Sequence, residues 1–240
     1  MKQIAVIIIS TFALICASLP AEARRFNDKV ENRPYADLRR WHLGFSIGAH
    51  TEDIRFTHNG FITETGEQWR FEQTSYQPGF SVSALVALRL NNYFSLRFSP
   101  GMMFGSRDVH MLDLTTGAEQ RQNIKSTYIT MPLDVKFASQ RVRNARPYVV
   151  TGVMPAFDVS KKRSDLLQLT SSDFYVSVGF GCDFYLPYFK LIPEIKFCFG
   201  LTDILQHDRP DLADDPDRLK FSNSIAKATS KMIVFTLYFE

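Results

Sequence analysis

Apolar and polar residues alternate along the stretch "DFYVSVGFGCDFYLPYFKLIPEIKFCFG", Asp173 to Gly200. Phe174, Val176, Val178, Phe180, Cys182, Phe184 and Leu186 form one set, all apolar. Tyr175, Ser177, Gly179, Gly181, Asp183 and Tyr185 form the other, small or polar. Side chains on a strand alternate faces, so this is a two-faced strand. "PYFK" interrupts the pattern. A second alternation then sets Ile195, Phe197 and Phe199 against Glu194, Lys196, Cys198 and Gly200. The spacing predicts a β-hairpin with Cys182 opposite Ile195 and Phe180 opposite Phe197. The apolar face runs about ten residues, the length a tilted strand needs to cross a bilayer. The charges and prolines exclude a transmembrane helix, which needs roughly 20 apolar residues. A soluble sandwich alternates too, so this stretch alone leaves open which face meets water.

The same pattern recurs in "WHLGFSIGAH" (41–50), "FSVSALVALRL" (80–90), "FSLRFSPGMMFG" (94–105), "TYITMPLDVKFA" (127–138) and "KMIVFTLYFE" (231–240). "RPYVVTGVMPAFDV" (146–159) alternates less cleanly, and its facing stays unassigned. The chain thus predicts about eight strands of membrane-crossing length. Short connections ("NNY", "SQRVRNA", "PYFK") take turns with long ones: Thr51 to Gly79, Ser106 to Lys125, Ser160 to Ser172 and Leu201 to Ser230. Outer-membrane barrels sort their loops this way, with short periplasmic turns and long external loops. A sheet in hydrocarbon must close, because nothing there satisfies an open edge. The fold class read from the chain is all-β, an eight-stranded antiparallel up-and-down transmembrane β-barrel of the outer-membrane type, with both termini periplasmic. Trp41, Tyr93, Tyr148, Tyr188 and Tyr238 sit near strand ends and are assigned to aromatic girdles.

The N-terminus fits this location. Lys2, the apolar run Ile4 to Ala17 and Ala21-Glu22-Ala23 read as a secretory signal peptide over 1–23. Residues 24–40 are then a periplasmic N-terminal segment and 41–240 the barrel. The formal net charge of +3 gives no reason to expect a nucleic-acid partner. Cys182 and Cys198 fall on opposite faces of the hairpin and are expected as free thiols, since a disulfide needs its Cβ atoms about 4 Å apart.

The segments "RPYADLRRWHLGFSIGAHTEDIRF", "NIKSTYITMPLDVKF", "GFGCDFYLPYFKLIPEIKFCFGL" and "ILQHDRPDLADDPDR" resemble the PorT family of outer-membrane β-barrel proteins, from about Arg33 to Glu240. The resemblance implies a small barrel required in type IX secretion, which exports protein across the outer membrane. It carries over no catalytic residues. The C-terminal strand, ending in outward Phe239, resembles the signal read by the barrel-assembly machinery. Outer-membrane lipid, that machinery and other secretion-system proteins are the partners it implies.

Seven charges fall on inward positions: Arg89, Arg97, Asp134, Lys136, Asp183, Glu194 and Lys196. An eight-stranded barrel has a lumen just wide enough for its side chains, and an unpaired buried charge costs several kcal/mol. These seven are therefore expected to form an ion-pair network that plugs the lumen. Asp134–Lys136 and Glu194–Lys196 are expected to pair along their own strands, with Arg89 and Arg97 approaching from the neighbouring hairpin. The last long loop is rich in acid, and Asp208, Arg209, Asp211, Asp214 and Asp215 are its partner-contact candidates. Its spacing fits no EF-hand. His42 and His50 share a face but stand about 26 Å apart at strand rise, so they hold no common metal. His58 and His110 read as loop histidines. No metal, cofactor or catalytic set is assigned. The remaining alternatives are a small porin or ligand-binding barrel, and a hydrolase built at the rim from Asp53, His50, His58 and Ser106.

Overall fold

Strand-forming alternation yields a single antiparallel sheet that closes on itself. The computed structural model describes residues 31–58, 69–75, 77–113, 117, 119–160, 170–205 and 225–240. Its strands are β1 (Trp41–His58), β2 (Trp69–Ser75), β3 (Pro78–Arg89), β4 (Phe94–Phe98), β5 (Gly101–Asp113), β6 (Glu119–Thr130), β7 (Leu133–Ala138), β8 (Ala145–Asp158), β9 (Ser172–Tyr185), β10 (Lys190–Gly200) and β11 (Ile225–Phe239). Three pairs of these segments are interrupted staves. A proline has no N–H to give the ladder, so assignment breaks at Pro100 and Pro132. The register nevertheless runs on, from Phe98↔Leu133 in β4–β7 to Gly101↔Thr130 in β5–β6. Ser99 N–H donates to the Pro132 carbonyl at 3.2 Å across the break. β2 and β3 likewise pair with β5 on either side of an irregularity at Gln73/Ser75. The ring therefore has eight staves: β1, β2/β3, β4/β5, β6/β7, β8, β9, β10 and β11. It is closed by β1 against β11, from Phe45↔Phe239 to His58↔Ile225.

The outer wall is apolar. Leu43 is 69% exposed and Val178 50%, and Phe45, Phe80, Phe137, Phe180 and Phe235 are also exposed. A soluble protein rarely exposes an apolar patch of more than a few hundred Å². Stacked outward rings such as Phe45–Phe239 and Phe80–Phe104 line the band. Above it the outward residues turn polar: Asp53 and Arg55 on β1, Asp108 on β5, Lys125 on β6, Lys227 and Lys231 on β11. With water outside, the outward positions of these extensions are polar while Ile54, Ala228 and Ile225 are buried within, so the apolar-outward alternation of the membrane band stops. The strands therefore run further than the pattern predicts. His58 closes β1 and His110 lies within β5, so neither belongs to a loop.

Inside, β8 resolves cleanly, with Tyr148, Val150, Met154 and Ala156 buried and Val149 and Phe157 exposed. Tyr148 and Tyr238 do not join the aromatic girdles. Both are buried in the lumen, because they occupy inward parity positions, while Trp41, Tyr93 and Tyr188 are exposed. The β9–β10 register also differs from expectation. Ile195 pairs with Phe180 and Phe197 with Val178, a slip of two residues that leaves every facing unchanged. Cys182 and Cys198 are free.

If the outward face meets lipid, Val178→Arg costs about 2–4 kcal/mol. Urea unfolding in lipid vesicles checks this, and a Val178→Arg barrel as stable as wild type would contradict the facing.

Candidate functional site

The lumen is filled by charge at mid-height and by apolar side chains around it. Arg97 sits on β4, Asp134 and Lys136 on β7, Asp183 on β9, and Glu194 and Lys196 on β10, all at inward positions. Arg97 is 2% exposed and Asp134 0%. Arg97 Nη2 donates to both Glu194 oxygens, at 2.8 and 2.6 Å. It also lies 3.5 Å from Asp134. Lys196 Nζ donates to Asp134 Oδ2 at 2.6 Å, and Lys136 Nζ to Asp183 at 2.6 and 2.8 Å. Three cations and three carboxylates balance. Tyr148 donates its hydroxyl to Glu194 Oε2 at 2.6 Å. The Arg97 guanidinium lies 4.6 Å from the Tyr238 ring centroid and Lys136 Nζ lies 3.9 Å from that of Tyr148, both at cation–π distance. Room for this comes from glycine: a β-carbon at Gly181 would stand 2.5 Å from the Tyr148 hydroxyl.

The pairing follows a different route from the one expected. Asp134 bonds Lys196 and Asp183 bonds Lys136, so these pairs cross between staves. Only Glu194 and Lys196 approach along one strand, at 3.5 Å. Residues two apart on a strand project side by side, and long cations reach carboxylates on other staves more easily. Arg89 is outside the cluster. It sits at the end of β3 and donates to Asn91 O and Asn92 Oδ1 in the following turn. Above the charges, Met103, Tyr128, Met154, Tyr175, Cys198, Met232 and Val234 pack together. Below them are Leu85, Ala138, Val150 and Ile192.

The short-turn end carries a second ionic group that sequence reasoning missed. His42 Nδ1 and Lys190 Nζ meet Glu240 Oε1 at 2.6 and 2.7 Å. Here Asn32–Arg40, with a single 3-10 turn at Ala36–Leu38, lies against the barrel end. Asn32 N–H donates to Asn144 Oδ1 at 2.9 Å and its Nδ2 to Tyr185 O at 3.0 Å. Arg33 donates to Glu240 O at 3.0 Å. Asp37 accepts the Tyr185 hydroxyl at 2.5 Å and an Arg146 nitrogen at 3.4 Å. Arg141 donates to Asn32 O at 2.5 Å while its guanidinium lies 3.7 Å from the Tyr185 ring centroid. A cavity of about 50 Å³ between this strap and the charges is lined by Asp37, His42, Arg89, Arg97, Asp183 and Glu240. The signal for the strap was the Asn/Arg/Asp content of residues 32–40, which no alternation marks.

The rim does not gather a hydrolytic set from its described residues. His50 is buried and points inward, where a β-carbon at Gly79 would crowd its ring. Ser106, on the opposite face, donates to Gln77, which in turn donates to Asp108. Asp208, Arg209, Asp211, Asp214 and Asp215 lie outside the described residues.

Geometry of this kind, a closed ring with an apolar wall and a neutralised polar lumen, defines a transmembrane barrel. The chain belongs to the family of outer membrane protein β-barrel domains, whose model matches residues 24–206. Its place is therefore the outer membrane. No curated protein matches it. Among solved structures it is similar to neisserial surface protein A (10% identity, 83% of this chain and 98% of that one, TM-score 0.42). It is also similar to OprG from Pseudomonas aeruginosa (12%, 83% and 92%, TM-score 0.43). A third is Ail of Yersinia pestis, solved with the heparin analogue sucrose octasulfate (10%, 84% and 99%, TM-score 0.36).

Two outcomes follow from these pairs. Arg97→Ala strips a buried carboxylate of its partner and destabilises the barrel by about 3–5 kcal/mol, whereas Arg97→Met with Glu194→Gln recovers much of that loss. Equilibrium unfolding of the three proteins checks it. At the mouth, burial alone would raise the Glu240 carboxyl, but the His42 hydrogen bond and the Lys190 charge outweigh it and hold it at about 2. A depressed pKa contributes stability above the unfolded value, about 4.3, and that contribution is lost as pH falls toward 2. Glu240→Gln should therefore cost about 1–3 kcal/mol at neutral pH and nothing at the acid end, read from unfolding midpoints across pH.

Proposed function

We propose that this barrel is a non-enzymatic docking component of protein secretion across the outer membrane, of the PorT type, working through its periplasmic short-turn end. The observation that carries the reading is the surface of that end. Tyr35, Leu38 and Val142 are largely exposed there. Arg39, Arg40 and Arg143 stand exposed beside them. Tyrosine and arginine on a rigid base are what binding hot spots use. The base is rigid because Asp37, Arg141, Arg146 and Tyr185 bind the strap to the turn between β7 and β8 and to the end of β9. The charge-filled lumen supports the same reading, since a barrel that conducts needs free width. The partner would be an acidic periplasmic face of another secretion protein, complementary to the arginines.

Photo-crosslinking residues placed at Tyr35 and Val142 should capture a protein partner in cells, while one at Ile47 should meet only lipid. Arg39→Glu with Arg40→Glu and Arg143→Glu should abolish both the crosslink and secretion while the barrel still folds in the membrane. Secretion unchanged in a folded triple variant would sink the proposal.

A further inference from the structure

The outward face of β1 and β11 changes character at one height. Below, Ile233, Phe235 and, on β10, Phe199 are exposed and apolar. Above, Lys231, Arg55 and Lys227 are exposed. The register places Lys231 opposite Asp53, Arg55 opposite Thr229 and Thr57 opposite Lys227. Lys231 and Arg55 are thus diagonal neighbours on one face, as are Arg55 and Lys227. Diagonal neighbours lie roughly 7–8 Å apart, within reach of long side chains. The three cations form a zigzag column rising from the apolar band, and Asp53 is the one carboxylate among the described residues of that face. Asp53, directly opposite Lys231, offsets one of the three charges, and the column stays net positive.

Elsewhere at this height the charge is mixed. On β5 and β6, Lys125 shares the rim with Asp108 and Glu119. There Asp108 already accepts from Gln77 and Asn123. Among the described residues the positive column is therefore confined to one sector. It also begins without a gap: Lys231 pairs across the ladder with Phe199 and lies two residues from Ile233 on the same face. A ligand that fills this place must be apolar below and anionic above.

We propose that the β1–β11 face is a binding site for a phosphorylated membrane lipid. Its acyl chains would lie against Phe199, Ile233 and Phe235, and its phosphate would be held by Lys231 and Arg55, with Lys227 taking a second anionic group. Charge-assisted hydrogen bonds from lysine and the arginine fork suit phosphate oxygens. The site rests on the membrane-spanning fold and not on the docking role proposed above, so a negative secretion test leaves it standing.

The test uses the purified full barrel in phosphatidylcholine nanodiscs, doped with either a diphosphorylated glycolipid or its dephosphorylated form. Native mass spectrometry reads the lipid retained on the released protein. Wild type should retain the phosphorylated lipid preferentially. Lys231→Gln, Arg55→Gln and Lys227→Gln should each weaken retention about fivefold, and the triple variant about a hundredfold, on the scale of surface cations near anionic lipid. Lys125→Gln, on the mixed-charge sector, should leave retention unchanged. Equal retention by wild type and a folded triple variant overturns the proposal, as does equal retention of the dephosphorylated lipid. If soluble tripolyphosphate binds wild type as tightly as the phosphorylated lipid does, the column is a simple anion site and the lipid assignment fails.

Discussion

A backbone polar group exposed to hydrocarbon has no partner, and the rest of this structure depends on that constraint. The β1–β11 ladder satisfies the two edges that would otherwise face lipid. Closure at eight staves then fixes the bore, and a bore of that width is filled by side chains rather than water. Once it is filled, charges inside can survive only in pairs, which is why Arg97, Lys136 and Lys196 are matched by Glu194, Asp183 and Asp134. The prolines fit the same logic. Pro100 and Pro132 each withdraw one N–H, but their carbonyls still accept, from Ala84 and Ser99, so the wall stays continuous.

The alternation of Phe174 to Phe184 and its repeats made the strands, their facing and the closed ring legible from the chain alone, because lipid outside and packing inside impose the period of two on every stave. What stayed hidden depends on the stagger between staves. Alternation reports which face a residue takes, and a two-residue slip leaves that unchanged, so the offset of Phe180 from Phe197 to Ile195 left no trace in the pattern. The same stagger decides which carboxylate a lysine reaches across the bore, so Lys136 meets Asp183 and not Asp134. Arg89 has inward parity but lies at the strand end, where turn carbonyls compete for it. The strap at Asn32–Arg40 has no alternation to betray it.

Filling the bore leaves the two ends as the surfaces that meet water. At the short-turn end, Glu240 gathers His42 and Lys190, and the strap packs against the same rim. The exposed side chains of the strap then have a firm base. At the other end the staves outgrow the apolar band, and the cations of β1 and β11 stand on rigid ladders rather than loops. Both surfaces follow from the wall itself: a rigid ring presents fixed groups on either side of the membrane at no further ordering cost.

Charge pairs close the lumen, so ion conductance across a planar bilayer reads the bore itself. Purified barrel inserted into the bilayer should give no discrete current steps at any applied potential that the bilayer survives. Regular, salt-proportional steps from the wild-type barrel would mean a continuous water column past Arg97 and Glu194, and would contradict the account.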